Sequence, residues 1–227
     1  MRHWQRLLTS VLLIVLAVPA WSANKSKDEE TLKNASTVLS AMIESKSVPS
    51  DLLDRAKCVV VLPGVKKFGF GVGGSGGRGP MSCRGGKNFT GNWSAPAMYS
   101  VSGASVGFQV GGSSSDFVLL VMTEKGVDAI MQGKTKLGSD ASAAAGPSGA
   151  TAQSVGTDIL TYGRTSGLFA GAALGAATLE EDSDANQRLY DKAITAKEIL
   201  MQHAVKTTPG GQSLVSLLNT KIANHAS

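Results

Sequence analysis

An α+β fold is what this sequence predicts: a bent antiparallel sheet, able to close like a barrel, with helices from both ends packed over it. Three observations carry that prediction. Glycine is unusually frequent at 27 residues while aromatics make up only 5%, a composition that suits strands with many bends better than a helical bundle. The middle of the chain breaks into short apolar runs separated by turn residues. Both ends instead show apolar residues at three- and four-residue steps, the mark of helices with one buried face.

Taken in order, the chain opens with Arg2 and Arg6 around a short polar region, then an apolar core at residues 7–18, then Ala20-Trp21-Ser22, which offers small residues for cleavage after Ser22. This is the pattern of a secretory signal peptide, residues 1–22. Its apolar core of about twelve residues falls short of the ~20 that span a bilayer, and no cysteine stands at the cleavage site to take a lipid. The expectation is an exported protein, in the periplasm or cell envelope, whose residues 23–227 form a single domain with an amino-terminal helix and a carboxy-terminal helical tail. With Arg2 and Arg6 gone the formal charge falls from +5 to +3. That is too weak a field for a nucleic-acid binder, yet it suits an acidic surface such as a lipid headgroup layer.

Over residues 25–47, Leu32, Ala35, Val38, Leu39, Met42 and Ile43 fall on one face of an amphipathic helix, with Asp28, Glu29 and Glu30 in its first turn, where the helix dipole favours carboxylates. Val48-Pro49 ends it, and Ser50 caps a second, short helix. Strands follow at 59–62, stopped by Pro63-Gly64, and at 68–73, 80–84, 97–102 and 105–111. Lys66-Lys67 then sits in a turn, and the glycine-rich stretch 71–79 reads as a loop carrying Arg78. Residues 117–122 are continuously apolar, as in a strand buried on both faces. Thr123 caps a helix running to Gln132 with Val127, Ile130 and Met131 inward. Strands at 153–162 and 168–179 complete the sheet. Asp184 then caps a helix, Thr195 with Glu198 makes a capping-box pattern, Pro209-Gly210-Gly211 breaks the chain, and a last helix uses Leu214, Val215, Leu217, Leu218 and Ile222.

The sheet is organised around residues 161–179, two apolar runs either side of Arg164-Thr165-Ser166-Gly167. They read as a β-hairpin with Arg164 at its exposed tip. Glycines 163, 167, 171 and 175 also fit one face of a small-residue helix, at a cost of roughly 0.5–1 kcal/mol each. Cys58 and Cys83 leave two readings open: a disulfide formed in an oxidising compartment, or two small buried apolar residues.

Three elements in that order, Trp-Ser-x-Pro at Trp93, Gly-Pro-x-Gly at Gly146 and Tyr-x-Arg-x-x-Gly-Leu-Phe-x-Gly at Tyr162, resemble the SYLF domain family. These are lipid- and actin-associated modules of eukaryotes and, often as secreted proteins, of bacteria. The likeness runs from about Val48 to about Lys192 and is closest to the bacterial secreted type. It implies a compact SYLF-type β core and non-enzymatic binding of acidic phospholipids at a membrane surface, phosphoinositides in the eukaryotic members, with no catalytic residues and no cofactor. The alternative is a structural or protein-interaction component of the cell envelope. Actin is not expected as a partner of an exported bacterial-type protein.

Catalytic-looking strings have better structural explanations. The G-x-G-x-x-G at 71–76 is followed by Gly77-Arg78-Gly79-Pro80, which cannot open the helix that would hold a pyrophosphate. Gly133-Lys134-Thr135 lacks the first glycine of a phosphate loop. Around Ser105, Gly103 and Gly107 mimic a nucleophile elbow, but a strand continues where that chemistry needs a helix, and the downstream histidines lie in the helical tail. No His, Cys and carboxylate group has metal-ligand spacing. The informative charges are Lys66, Lys67, Arg78 and Arg164, turn residues able to converge on an anionic headgroup.

Overall fold

The structure, a computed structural model, describes residues 20–70, 72–106, 111–137, 144–145, 158–166 and 177–222. Residues 1–19 of the expected leader, Phe108 and Val110, residues 153–157, and Gly167 with residues 168–176 lie outside the described residues. Eight strands form one sheet: β1 Cys58–Phe70, β2 Val72–Cys83, β3 Ala97–Val106, β4 Gly111–Val121, β5 Thr135–Lys136, β6 Ala144–Ala145, β7 Ile159–Ser166 and β8 Ala177–Glu181. Their order in space is β5-β8-β3-β2-β1-β4-β7-β6. Seven pair antiparallel and curl into a half-barrel, and the short β6 joins β7 in parallel. The α+β class read from the sequence is the class observed.

Topology corrects three local expectations. The 71–79 stretch is strand: β2 pairs with both β1 and β3, and ladder bonds on two sides outweigh the weak strand preference of glycine. Lys66 and Lys67 lie inside β1, which passes Pro63-Gly64 through a bulge, where the missing proline N–H breaks no regular ladder. The described ends of the 161–179 stretch do not pair with each other. β7 pairs with β4 and β8 with β3, so four strands separate them. Leu160 and Tyr162 find Leu120 and Val118 of β4 as register partners, and Leu179 finds Val101 of β3. Alternation marked both runs as strands; it carried no information about their neighbours.

Helices cover both faces: α1 Ala20–Glu44, α2 Ser50–Arg55, α3 Glu124–Met131, α4 Ser183–Tyr190, α5 Ala196–Leu200 and α6 Gln212–Ile222. On one face Cys58, Val60, Leu62, Phe117, Leu119 and Val121 meet Val127 and Ile130 of α3 and Ile199 and Leu200 of α5. On the other, Val59, Val61, Val118, Leu120, Leu160 and Tyr162 meet Ala35, Leu39 and Met42 of α1 and Leu214 and Leu218 of α6. Phe117 to Val121 are all fully buried, the two-sided strand that their unbroken apolar run predicts. Each such side chain contributes about 1.5–3 kcal/mol by leaving water.

Two of the expected caps form and the Ser50 cap does not: Ser50 is the first residue of α2, and Pro49 before it makes no side-chain cap bond. Thr123 accepts the Gly126 N–H, and the Thr195–Glu198 capping box is complete. Asp182 rather than Asp184 caps α4, accepting from Ala185 N–H, and Asp184 sits in the first turn instead. Helix α1 begins before the expected Lys25, so Asp28, Glu29 and Glu30 lie well inside it and serve contacts rather than the dipole. Cys58 and Cys83 are register partners of β1 and β2 and form a buried disulfide.

Candidate functional site

Between Leu62 and Val65, β1 carries one residue more than its neighbour: Leu62 pairs with Phe117, but Val65 pairs with Ser115. Gly64 occupies the left-handed region at φ 59°, which a residue with a Cβ adopts only under strain. Side chains alternate along a strand, so one added residue exchanges the faces presented afterwards. Val65 therefore stays in the core beside Leu62, Lys67 follows it on that face, and Lys66 and Phe68 emerge on the α1 side. Asp116 of β4 sits at the bulge. Its Oδ1 accepts the Gly64 N–H at 2.9 Å, and its Oδ2 meets the Arg164 guanidinium at 2.9 Å from the neighbouring β7.

On this α1-side face the helical cover ends at Arg78. Asp28 of α1, wholly buried, pairs with Arg78 and with Arg188 Nε at 2.7 Å, and Arg78 lies 3.7 Å from Asp182. One residue along α1, Glu29 accepts the Gly210 N–H at 2.6 Å and the Thr208 hydroxyl at 3.1 Å. Beyond Arg78 the face opens to solvent. Ser102, Ala104 and Gly112 are exposed, Gly74, Gly76 and Ser114 are half-buried, and Phe68 stands among them 67% exposed, the one large apolar side chain so placed among the described residues. A Cβ on Gly74 would lie 3.3 Å from the tip of the Phe68 ring, so glycine lets the ring lie close over β2.

The four predicted contact residues divide. Lys66 is exposed beside Phe68. Lys67 projects from the opposite face, half-buried, and burial lowers its pKa. Arg78 and Arg164 share the face of Lys66, but each is matched by a carboxylate, Asp28 for the first and Asp116 for the second. Arg164 is on a strand within the sheet, not at a hairpin tip. Sequence reasoning missed Phe68 and Asp116; reading Pro63-Gly64 as a bulge would have placed Lys66 and Phe68 together.

At the other end of the sheet Lys57 lies 4.8 Å over the Phe89 ring and Arg84 5.0 Å over the Trp93 ring. Burial pulls the Arg84 pKa down against the opposing field of Asp54. Ser105 lies in β3 opposite Gly73, an ordinary ladder position.

Residues 102–221 match the family described as Ysc84, Las17-binding protein actin regulator. The chain belongs to the Ysc84, or SYLF, family. Among Ysc84 relatives, an SH3 domain-containing protein of Schizosaccharomyces pombe is 32% identical over 207 residues, 85% of this chain and 47% of that protein. LAS seventeen-binding protein 3 of Saccharomyces cerevisiae is 29% identical over 216 residues, 88% and 46% of the two chains. SH3 domain-containing YSC84-like protein 1 of Homo sapiens is 31% identical over 180 residues, 77% and 52%. The chain thus spans about half the length of the relatives it matches. No solved structure matches it. These names correct one expectation: the sequence argues against actin as a partner, whereas the Ysc84 family is described as an actin regulator and its yeast members as binding Las17.

Proposed function

We propose that this chain is a non-enzymatic binding module that docks on an acidic phospholipid surface through the open half of its sheet. One observation carries the reading: Phe68 stands 67% exposed beside the exposed Lys66, on a floor of glycine and serine. An aromatic ring at that position enters the interfacial layer while the ammonium meets headgroups, and small neighbours let both approach closely. Arg164 lies at the rim, its charge shared with Asp116. Flotation with vesicles rich in anionic lipid tests this: binding grows with anionic content, fades with salt, and is lost in Phe68→Ala. Absence of binding at low salt would overturn it.

The names of the Ysc84 relatives favour a second reading, in which the same face docks on a protein of the actin machinery. Co-sedimentation with actin filaments in the absence of lipid separates the two. Export to an oxidising compartment is part of the first reading, and the buried Cys58–Cys83 disulfide supports it. Detection of the chain with its amino terminus at Ala23 outside the cytoplasm tests that step.

A further inference from the structure

We propose that Asp116 is the positioning residue of the open face: by pinning the bulge at Pro63-Gly64 it decides that Lys66 and Phe68 point to solvent rather than to the interior. The importance of that outcome rests on the docking reading above; the geometry itself does not. Past the bulge, β1 is flanked by Gly76, Ser75, Gly74 and Gly73 on one side and by Ser114, Ser113, Gly112 and Gly111 on the other. Such small side chains give almost no preference for one register over the next, and strands of this kind slip. Without the extra residue, Lys66 and Phe68 would turn to the opposite face, where Lys67 is half-buried, and Lys67 to the open one. Exposure of an aromatic ring disfavours the observed arrangement, so a specific contact has to hold it. Asp116 supplies that contact, taking the Gly64 N–H at 2.9 Å where the ladder is interrupted, while Arg164 at 2.9 Å on the other carboxylate oxygen fixes its orientation. Arg164 then serves the site by aligning Asp116.

The test reads the ring directly and needs no ligand. Phe68→Trp is placed in the full chain with Trp4→Phe and Trp21→Phe, leaving Trp93, 5% exposed, as a buried baseline, and acrylamide quenching is measured. The residue-68 indole is freely quenched in this parent. Adding Asp116→Ala lowers its quenching roughly twofold or more as the ring leaves water. Asp116→Asn restores it, since the amide oxygen still accepts the Gly64 N–H. Unchanged quenching in Asp116→Ala with intact circular dichroism overturns the proposal. Should Asp116→Ala fail to fold, amide exchange in the unsubstituted chain decides: Gly64 N–H is protected, and exchange at the rate of an open loop overturns the assignment. Vesicle flotation of the Asp116 variants, in chains that keep Phe68, tells this failure from that of the docking reading. A parent that never floats refutes the lipid reading, while quenching still decides the register.

Discussion

The two halves of the central strands are built on opposite plans. In the covered half, Val59 to Leu62 and Phe117 to Val121 bury side chains on both faces, and packing against α1, α3, α5 and α6 holds them. In the open half, the same strands continue as Lys66–Gly69 and Gly111–Ser115, where ladder bonds do most of the holding and side chains are few. One β1 strand serves as core at one end and as presented surface at the other, with Asp28–Arg78 marking the boundary on the α1 side and the bulge marking it along the strand.

The contrast breaks most severely at the boundary. Asp28→Ala leaves Arg78 and Arg188 without their buried carboxylate and is expected to cost about 3–5 kcal/mol, read as a lowered urea midpoint. Next comes the far end of the covered half. Removing the Cys58–Cys83 disulfide, which closes a separation of 25 residues, costs roughly 2–4 kcal/mol, and thiol labelling of the native oxidised chain finds no free cysteine. In the open half the effects on stability shrink while those on binding grow. Arg164→Ala removes a half-exposed ion pair worth about 0–1 kcal/mol. Phe68→Ala stays within ~0.5 kcal/mol of the parent, yet abolishes vesicle flotation; a large loss of stability there would show the ring to be structural. The smallest effect is at α5, where the Thr195 N–H, then its hydroxyl, holds the Glu198 carboxyl below its usual range. A carboxyl depressed on folding stabilises above its unfolded pKa and stops doing so as pH falls through the folded one. Amide protection in the first turn of α5, measured against the intrinsic exchange rate at each pH, should therefore fall on acidification and be indifferent to pH in Glu198→Gln.

Legibility in the sequence followed the same division. Where side chains do the holding, the pattern was readable: the two-sided burial of residues 117–121, the α1 stripe from Leu32 to Met42, the caps at Thr123 and Thr195. Where backbone does the holding, it was not. Gly73 to Gly79 form a strand without any strand-forming side chain, because their order comes from β1 and β3. The partners of β7 and β8 depend on long-range pairing that no local period encodes. Lys66 was found and its neighbour Phe68 was not, since Pro63-Gly64 ends a strand in most contexts and only bends it here.

Helix α1 also has a consequence in time. Its amino-terminal half is fastened by Lys25 to Asp191, by Asp28 to Arg188 and by Glu29 to Gly210, contacts that span 166, 160 and 181 residues of chain. The amino-terminal half of α1 therefore waits for residues 188–210 before it can latch, and loop closure over such lengths is slow. Until then that half of α1 travels without these partners, so the newly made chain is most vulnerable to aggregation and proteolysis just before residues 188–210 arrive.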